Sequence, residues 1–221
     1  MVTAIVVAAG KSSRMGAGSD KSFMSLCGKP VLAWSLLAME RCREIERIVL
    51  VVRKDQILAA TTVAKTFGIS KLFKVVAGGQ KRQESVQAGL KECDVDTTLV
   101  VVHDGARPLI TPDLVAAVVR EAKKGGSVTV GHKVTDTLKK VEKREITGTV
   151  DREGIYQVQT PQVFPVGVLR KAYKALGKKE CTDDCMVVEK AGEKVRIYET
   201  NQPNLKITTV EDLQIAVALL K

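Results

Sequence analysis

The sequence predicts an α/β fold, in which helices cover both faces of a mostly parallel, twisted β-sheet in a three-layer sandwich. Two observations predict it. Short apolar runs rich in β-branched residues alternate with helix-like stretches along the 221 residues, and these runs are continuously apolar, as in strands buried on both faces. Polar or glycine-rich clusters follow several of the runs, where ligands bind in sheets of this kind.

The predicted elements follow one another in regular order. Five apolar runs are typical of buried strands: residues 3–8, 47–52, 73–77, 98–103 and 127–131. Helices are predicted between and after them, at about 30–41, 83–93 and 112–124. A further helix follows the strand 47–52 and ends at about residue 67. Thr111 is the expected N-cap of the helix at 112–124, with Pro112 in its first turn. Two further strands, 194–198 and 205–208, precede a final helix capped by Thr209.

Residues 134–158 interrupt this order. Apolar and polar residues alternate over 135–141, a turn follows at 144–148, and a strand-like pattern resumes at 154–158. This pattern is typical of a β-hairpin, and we predict an arm that protrudes from the sandwich. Such an arm often docks on a second subunit, although an edge hairpin on its own domain is the alternative. Residues 1–221 are otherwise expected to form a single domain, since no linker, repeat or low-complexity segment divides them.

The composition argues against several classes of function. Two histidines, and five cysteines without a Cys-x-x-Cys pair, disfavour a Ser-His-Asp triad and a zinc site. The net charge of +10 comes from scattered lysines and aromatic residues make up only 4%, so we expect no nucleic-acid partner. The apolar runs are too short to cross a bilayer, and the N-terminus has no signal-peptide pattern. We therefore expect a cytoplasmic protein without a membrane partner.

The first candidate site follows the first strand, at residues 8–15. The position that must be glycine in a P-loop holds Ile5, and the glycine pattern of a dinucleotide-binding turn is absent as well. The segment does offer a turn of small residues, which lets a base or a phosphate approach the backbone closely. Arg14 within the segment and Lys21 beyond it supply positive charge for phosphate groups.

Two further clusters follow other strands. The segment 78–85 joins two glycines to the start of a helix, an arrangement that accepts an anion or a base, although a plain turn has the same pattern. The segment 103–108 places Asp104 directly after a buried strand, where a carboxylate oxygen can hold Mg²⁺ for phosphoryl chemistry. An ordinary aspartate turn is the alternative. His103 is expected to pack at the strand end rather than to act as a base.

The order of these clusters resembles that of the 2-C-methyl-D-erythritol 4-phosphate cytidylyltransferases of the non-mevalonate isoprenoid pathway. The resemblance covers practically the whole chain. Its motifs are Ala8-Ala9-Gly10-x-x-x-Arg14-Met15, Lys21, Gly78-Gly79-x-x-Arg82-x-x-Ser85-Val86, His103-Asp104-Gly105-Ala106-Arg107-Pro108, Asp136-Thr137, Arg152, Gln159-Thr160-Pro161-Gln162-x-Phe164, Thr182-Asp183-Asp184 and Asn204-x-Lys206-x-Thr208.

The resemblance implies a Rossmann-like fold and transfer of CMP from CTP to 2-C-methyl-D-erythritol 4-phosphate, with Mg²⁺ as cofactor and a homodimer as the active assembly. It implies a metal-binding role for Asp104. The implied catalytic residues are Arg14, Lys21, Arg152 and Lys206. The implied CTP site consists of Ala8, Ala9, Gly10, Ser12, Ser13, Gly79, Gln80, Ser85, Asp104 and Ala106. The implied acceptor site consists of Arg107, Thr137, Arg152, Thr160, Thr182 and Asp183, with Arg152 reaching from the arm into the neighbouring subunit's site.

In such a reaction an oxygen of the acceptor phosphate attacks the α-phosphorus of CTP in line and expels pyrophosphate. A phosphate monoester, with a second pKa of about 6, is already largely ionised at neutral pH, so no general base is needed. The scarcity of histidine agrees with this chemistry. The protein is expected to act by positioning the phosphates and by stabilising charge.

Two positions depart from the family's usual pattern. Asp20 stands where the family usually has proline, and its negative charge beside Lys21 could lower activity or affinity. Ser12 stands where many members have glycine, which could alter how the loop wraps a triphosphate. Some relatives are fused to a second enzyme of the pathway. Because this chain ends soon after its last predicted helix, we expect no such fusion here.

Three other interpretations remain open. A ribitol-5-phosphate cytidylyltransferase shares the fold and the triphosphate site. Sugar-1-phosphate and molybdopterin nucleotidylyltransferases are more distant, since they commonly have two glycines in place of Ala9-Gly10 and are not expected to keep the arm with Arg152. A non-catalytic nucleotide sensor on the same fold is the third, made conceivable by Asp20.

Overall fold

A computed structural model of the chain describes residues 1–10, 20–177 and 179–220. The strands in these ranges are β1 Val2–Ala8, β2 Ser25–Leu26, β3 Lys29–Pro30, β4 Arg47–Val52, β5 Leu72–Ala77, β6 Leu99–Asp104, β7 Ser127–Lys133, β8 Leu138–Glu142, β9 Glu145–Val150, β10 Tyr156–Pro165 and β11 Val195–Glu199. The α-helices are α1 Val31–Arg41, α2 Ile57–Thr66, α3 Arg82–Lys91, α4 Pro112–Lys123, α5 Val166–Leu176, α6 Asp184–Lys190 and α7 Val210–Leu219. Short 3-10 helices span Lys21–Phe23 and Lys54–Gln56.

Seven of the described strands form one sheet, in the order β11-β7-β10-β6-β1-β4-β5. β10 is antiparallel to both of its neighbours, and the other four pairs are parallel. The predicted mostly parallel sheet is therefore confirmed. In the register of the sheet, Ala8 of β1 pairs with Val52 of β4, and Val7 pairs with Asp104 of β6. The loops that follow β1 and β6 consequently begin at the same edge of the sheet.

The hydrophobic core lies in two layers, one on each face of the sheet. Successive residues of β1 point to opposite faces, so Ile5 packs in one layer and Val6 in the other, and neither is exposed. One layer is formed with α1, α2 and α4, the other with α3, α5 and α6. This arrangement confirms the predicted three-layer sandwich, and it gives the loops at the carboxyl edge a close-packed support.

β8 and β9 form a separate antiparallel sheet, which we call the arm; it spans residues 138–150 and turns at Lys143–Arg144. The predicted hairpin is present, but it is shorter than the range 134–158. Residues 156–158 pair with residues 131–133 of β7 and therefore belong to the central sheet. The pattern of alternation continued across this boundary, because a strand in the arm and a strand in the sheet have the same period.

The predicted strand at 205–208 is wrong. This segment runs beside the loop after β6, where the N–H of Ile207 donates a hydrogen bond to the carbonyl of Ala106 (2.8 Å). Ile207 is buried in a small third core beneath α7. Leu205 packs partly buried against the same core. Two apolar side chains two residues apart thus face the core as they would in a strand, although the segment pairs with none of the described strands, and periodicity cannot distinguish the two cases.

The predicted helix caps are confirmed. The hydroxyl of Thr111 accepts a hydrogen bond from the N–H of Leu114 (3.2 Å) at the start of α4, and the hydroxyl of Thr209 accepts one from Asp212 (3.3 Å) at the start of α7. Among the helices that the structure describes, none has the length and apolar character needed to cross a bilayer.

Candidate active site

The residues after β1, β5 and β6 meet at the carboxyl edge of the sheet and line a pocket of about 140 Å³, which we call the edge pocket. Three clusters that are distant in the sequence are thereby brought together, as parallel strands ending at one edge require. The predicted nucleotide-site residues that line this pocket are Ala8, Ala9, Gly10, Gly79, Gln80, Ser85, Asp104 and Ala106. Lys21 and Lys206 line it as well. Their placement agrees with the predicted site, while their binding roles stay predictions.

Close packing in the edge pocket depends on Gly78. A Cβ atom at this position would lie 2.5 Å from the Cβ of Ala9 and 2.5 Å from the Oγ of Ser85, closer than such atoms approach in proteins. Glycine therefore allows the loop after β1 and the start of α3 to come together. The resulting wall of small residues suits a flat ring better than a bulky group.

The loop before α3 is closed by a carboxylate of the helix itself. Glu84 Oε2 accepts hydrogen bonds from the N–H of Gln80 (2.8 Å) and of Lys81 (3.2 Å). A phosphate group bound at this helix start would have to displace Glu84 from both amides. If segment 78–85 accepts a ligand, this contact therefore favours a base over an anion, while the alternative of a plain turn stays open.

Asp104 lies among positively charged side chains. Its Oδ1 accepts a hydrogen bond from Arg82 Nε (3.1 Å) and its Oδ2 accepts one from Lys206 Nζ (2.7 Å), while Arg107 Nε lies 3.8 Å from Oδ2. Burial alone would raise the pKa of this carboxyl group, but Arg82 and Lys206 hold its pKa well below its usual range. Asp104 is therefore ionised, and it joins the end of β6 to α3 and to the 205–208 segment.

A second pocket, which we call the side pocket, adjoins the edge pocket and shares Arg82, Asp104 and Lys206 with it. Its lining includes four residues of the predicted acceptor site: Arg107, Thr160, Thr182 and Asp183. The side chain of Lys206 is 37% exposed, so its ammonium group is accessible from the pockets. The three shared residues form the boundary at which groups bound in the two pockets would meet.

Several acceptor-site candidates also have structural partners. Thr160 is buried, and its hydroxyl accepts a hydrogen bond from the N–H of Asp104 (3.1 Å). Asp183 caps the start of α6, where its Oδ1 accepts a hydrogen bond from the N–H of Met186 (3.0 Å). Arg107 Nη1 donates a hydrogen bond to the carbonyl of Asn204 (2.7 Å). These bonds shape the side pocket, whereas contact of the same residues with an acceptor stays a prediction.

Lys21 lies in a 3-10 helix that is capped by Asp20. Asp20 Oδ1 accepts a hydrogen bond from the N–H of Ser22 (3.1 Å), and Oδ2 lies 3.3 Å from Nη1 of Arg53, which follows β4. The negative charge that the sequence places beside Lys21 is thus paired with an arginine. Sequence reasoning did not include Arg53, because nothing in its sequence surroundings points to the loop after β1.

His103 is entirely buried, with Nδ1 3.2 Å from the hydroxyl of Thr160. Burial lowers the pKa of His103 to about 3, so the ring is neutral at neutral pH. The structure confirms the prediction that this histidine packs at the end of the strand. Ser12, Ser13 and Arg14 lie outside the described residues, as does the rest of segment 11–19, and their roles stay predictions.

Comparison with known proteins decides the family. A family model described as 2-C-methyl-D-erythritol 4-phosphate cytidylyltransferase matches residues 2–221. The chain belongs to this family.

Relatives and solved structures of cytidylyltransferases agree with this membership. The protein of that name from Alkaliphilus metalliredigens is 42% identical, over 99% of this chain and 92% of its own length. The one from Dehalococcoides mccartyi is 41% identical, over 100% and 96%. The structure of 4-diphosphocytidyl-2C-methyl-D-erythritol synthase from Anaerococcus prevotii has a TM-score of 0.86 at 30% identity, covering 99% of this chain and 95% of that one. These similarities extend over whole chains, so they support one shared architecture.

Two residues that the family pattern assigns to the acceptor site lie away from both pockets of this chain. Arg152 is exposed and donates a hydrogen bond from Nη1 to the carbonyl of Thr135. Thr137 is exposed immediately before β8. Both lie at the base of the arm. Arg152 thus lies just outside the arm, and its action in a second subunit's site stays a prediction.

Sequence reasoning gave no role to three residues that support the candidate site from outside its pockets. Asp184 is fully buried, and it accepts hydrogen bonds from Arg82 Nη1 (2.6 Å) and from the hydroxyl of Tyr173 (2.5 Å). Arg82 and Asp184 stand inside motifs of the family, and a signal for them was therefore present in the sequence. Tyr173 lies in an ordinary amphipathic helix, α5, and its sequence surroundings contain no such signal.

Proposed function

We propose that this chain transfers CMP from CTP to 2-C-methyl-D-erythritol 4-phosphate, giving 4-diphosphocytidyl-2-C-methyl-D-erythritol and pyrophosphate. CTP binds in the edge pocket, and the acceptor phosphate binds in the side pocket. Membership of the family supports the reaction. The observation that supports the placement of the two substrates is that the pockets meet at Arg82, Asp104 and Lys206.

The site acts by positioning and by stabilising charge. An oxygen of the acceptor phosphate attacks the α-phosphorus in line, the bond from that phosphorus to the bridging oxygen of pyrophosphate breaks, and pyrophosphate leaves. Because the acceptor phosphate is already largely ionised, the neutral His103 is not required as a base. Lys206 at the boundary and Lys21 in the edge pocket stabilise the charge that develops on the phosphates. Arg14 is assigned the same role by the family pattern.

The proposed cofactor is Mg²⁺, held by Asp104 together with the phosphates of CTP. Within the described ranges, no group of three or more His, Cys, Asp or Glu side chains could hold a metal ion. Asp104 nevertheless offers an ionised carboxylate in the edge pocket. One carboxylate combined with substrate phosphates is a typical ligand set for Mg²⁺, so the residues fit the ion. When bound, the ion neutralises part of the triphosphate charge.

The proposed assembly is a homodimer joined through the arm. Val141 and Ile146 of the arm are 56% and 66% exposed, and they give it an apolar surface that supports docking on another chain. Arg152 lies outside the pockets of its own chain, in agreement with a role in the partner's site. Residues 1–221 then act as one nucleotidyltransferase domain in the cytoplasm, without a nucleic-acid or membrane partner.

The reaction is tested by measuring pyrophosphate release from CTP with 2-C-methyl-D-erythritol 4-phosphate and, separately, with ribitol 5-phosphate. We expect release with the erythritol phosphate. Release with ribitol 5-phosphate alone would transfer the assignment to the sister activity. Binding of CTP without release in either assay would favour a nucleotide sensor and overturn the proposed transfer.

The boundary between the pockets is tested by Lys206→Met. We expect kcat to fall on the order of a hundredfold, because one cation at the reacting phosphates is lost. The melting temperature should also fall, because the buried carboxylate of Asp104 loses one of its two hydrogen-bonding cations, and kcat is therefore measured well below that temperature. Lys65→Met removes an exposed lysine of α2 outside both pockets and is the matched control. A Lys206→Met enzyme with normal kcat would contradict the placement of the substrates.

The action of Arg152 in the partner's site is tested by mixing two inactive variants, Arg152→Ala and Lys206→Met. In a mixed dimer, the site that keeps Lys206 would receive an intact Arg152 from the other chain. Random mixing should therefore restore about a quarter of wild-type activity, because half of the dimers are mixed and each has one complete site. Failure to recover activity, with mixed dimers present by mass spectrometry, would place Arg152 in its own chain's site.

A further inference from the structure

Behind the boundary of the two pockets lies a connected set of four side chains, Tyr173, Asp184, Arg82 and Asp104, which we call the Arg82 network. The hydroxyl of Tyr173 donates to Asp184 Oδ1 (2.5 Å) and Arg82 Nη1 donates to Asp184 Oδ2 (2.6 Å). Arg82 Nε then donates to Asp104 Oδ1 (3.1 Å). The network runs from α5 through α6 and α3 to the end of β6, so it joins elements that are distant in the sequence.

At neutral pH Arg82 stays positively charged and the hydroxyl of Tyr173 stays protonated. Burial by itself would lower the pKa of Arg82, but the carboxylates of Asp184 and Asp104 raise it above its ordinary value. Burial and the neighbouring Asp184 both raise the pKa of Tyr173, so its hydroxyl stays protonated and donates. Two carboxylates therefore share one guanidinium, and the tyrosine supplies a further donor to the more deeply buried of them.

The geometry of a guanidinium makes this arrangement directional. The group is planar, and its nitrogens form a rigid fork, so bonds from two of them to two different carboxylates fix its plane. Asp184 has no exposed side-chain surface, so it is a fixed anchor for one end of the fork. The other end meets Asp104, whose second oxygen is bonded to Lys206 (2.7 Å). The position of Lys206 is consequently linked to an anchor on α6.

We propose that Asp184 and Tyr173 are positioning residues of the transfer reaction, which hold Arg82 against Asp104 so that Asp104 holds Lys206 at the boundary of the two pockets. Neither Asp184 nor Tyr173 belongs to the lining of the edge pocket or of the side pocket. They act through Arg82 and not through contact with a substrate. The proposal rests on the proposed function for its effect on turnover, whereas its effect on Lys206 is independent of it.

The test uses Asp184→Asn, which keeps the shape of the side chain and removes its charge, and Tyr173→Phe, which removes the hydroxyl alone. We expect kcat to fall about ten- to a hundredfold in Asp184→Asn, with a smaller fall in Tyr173→Phe, because misplaced charge at a reacting centre lowers turnover by such factors. The KM for CTP should stay within about twofold of the wild-type value, since a displaced Lys206 would mainly lose its interaction with the charge that develops in the transition state. Tyr198→Phe, on β11 and outside both pockets, is the matched control and should leave both constants unchanged.

A double-mutant cycle with Arg82→Lys separates positioning from a general loss of stability. Lysine keeps the charge but cannot bond two carboxylates with a rigid fork. If Asp184 acts through Arg82, Asp184→Asn should add little to the loss of kcat in the Arg82→Lys background. Additive losses, or normal kcat in Asp184→Asn, would overturn the proposal. Asp184→Asn could also melt at a lower temperature and still have a normal kcat at temperatures where it is folded. That result would overturn the proposal and leave Asp184 a purely structural residue.

A second measurement does not depend on turnover. Reductive methylation followed by mass spectrometry reports how readily the ammonium group of Lys206 reacts. We expect Lys206 to be labelled several-fold faster in Asp184→Asn than in wild type, with no change in Tyr198→Phe. Faster labelling in a protein that releases no pyrophosphate would retain the network and overturn only the proposed function. Unchanged labelling would overturn the network even if the wild-type enzyme is active.

Discussion

Asp104 and Asp20 are two carboxylates beside two lysines of the proposed site, and their surroundings differ. Asp104 lies at the end of a buried strand and bonds two cations, one of them Lys206. Asp20 lies next to Lys21, caps a 3-10 helix through Ser22, and faces Arg53 at 3.3 Å. The two side chains are about equally exposed, at 9% and 10%. Exposure therefore does not distinguish them, and the difference lies in their partners.

This difference teaches what each carboxylate can do. Asp104 bonds side chains from two other parts of the chain, so it fixes their relative positions. Asp20 bonds a backbone group two residues away and faces a single arginine, Arg53, so it joins the short helix that carries Lys21 to the residue that follows β4. A substitution at Asp104 is consequently expected to disturb both Arg82 and Lys206, whereas one at Asp20 should disturb the cap of the Lys21–Phe23 helix and the ion pair with Arg53.

The largest effect is expected for Asp104→Asn. Arg82 and Lys206 would lose their shared charged acceptor, and Lys206 would no longer be held at the boundary of the pockets. We expect kcat to fall on the order of a hundredfold or more. The free energy of unfolding should fall by about 1–3 kcal/mol, because Arg82 and Lys206 both lose a charged hydrogen-bond acceptor. Steady-state kinetics and urea unfolding measure the two effects, with the exposed Asp96→Asn as control. A variant with normal turnover would remove Asp104 from the site.

His103, the residue before Asp104, is expected to make the free energy of unfolding depend on pH. Burial lowers its pKa to about 3, whereas a histidine in an unfolded chain has a pKa of about 6.5. Between these values the unfolded chain binds a proton that the folded chain does not, so the free energy of unfolding falls by about 1.4 kcal/mol per pH unit as the pH decreases. The stabilisation from ionised Asp104, whose pKa is lowered by folding, is lost only below about pH 4, so pH 5–6 is a window for His103.

The measurement is urea unfolding at pH 7, 6 and 5. His103→Gln removes the difference in proton binding between the folded and the unfolded chain. The free energy of unfolding should therefore change less between pH 6 and pH 5 than it does in wild type. His132→Gln replaces a histidine whose Nε2 lies 2.9 Å from Oε1 of Gln157, and it serves as the matched control that keeps the slope. Equal slopes in wild type and His103→Gln would show that the buried ring does not stay neutral.

The sequence predicted the buried elements better than the contacts between them. Strands such as β1 and β6 are continuously apolar because both faces of the sheet are covered, so their positions and the clusters at their ends could be predicted. The arrangement of Arg82 between Asp104 and Asp184 could not, since it depends on how α3 and α6 pack against the sheet. For the same reason the pairing of Asp20 with Arg53 was missed, and the sequence indicated only that the charge of Asp20 could lower activity or affinity.

The smallest effect is expected where Asp20 meets Arg53. Arg53→Gln removes the cation and leaves the Asp20 charge unpaired beside Lys21. An ion pair near the surface contributes about 0.2–1 kcal/mol, so the KM for CTP should rise at most about two- to fivefold. Asp20→Asn keeps an oxygen acceptor for the N–H of Ser22 and removes the charge. In the Arg53→Gln background it should therefore restore the KM, because the unpaired charge is gone.

The double variant of Asp20 and Arg53 decides between two causes. If Asp20→Asn restores the KM, Arg53 acts by neutralising the charge of Asp20. Arg53 then compensates for the aspartate that stands where the family usually has proline. If the KM stays high, Arg53 acts on CTP independently of Asp20. If Arg53→Gln has a normal KM, the ion pair has no part in nucleotide binding. A change as large as that of Asp104→Asn would contradict the comparison itself, since it would show that a carboxylate paired with one arginine near the surface organises the site as strongly as one bonded to both Arg82 and Lys206.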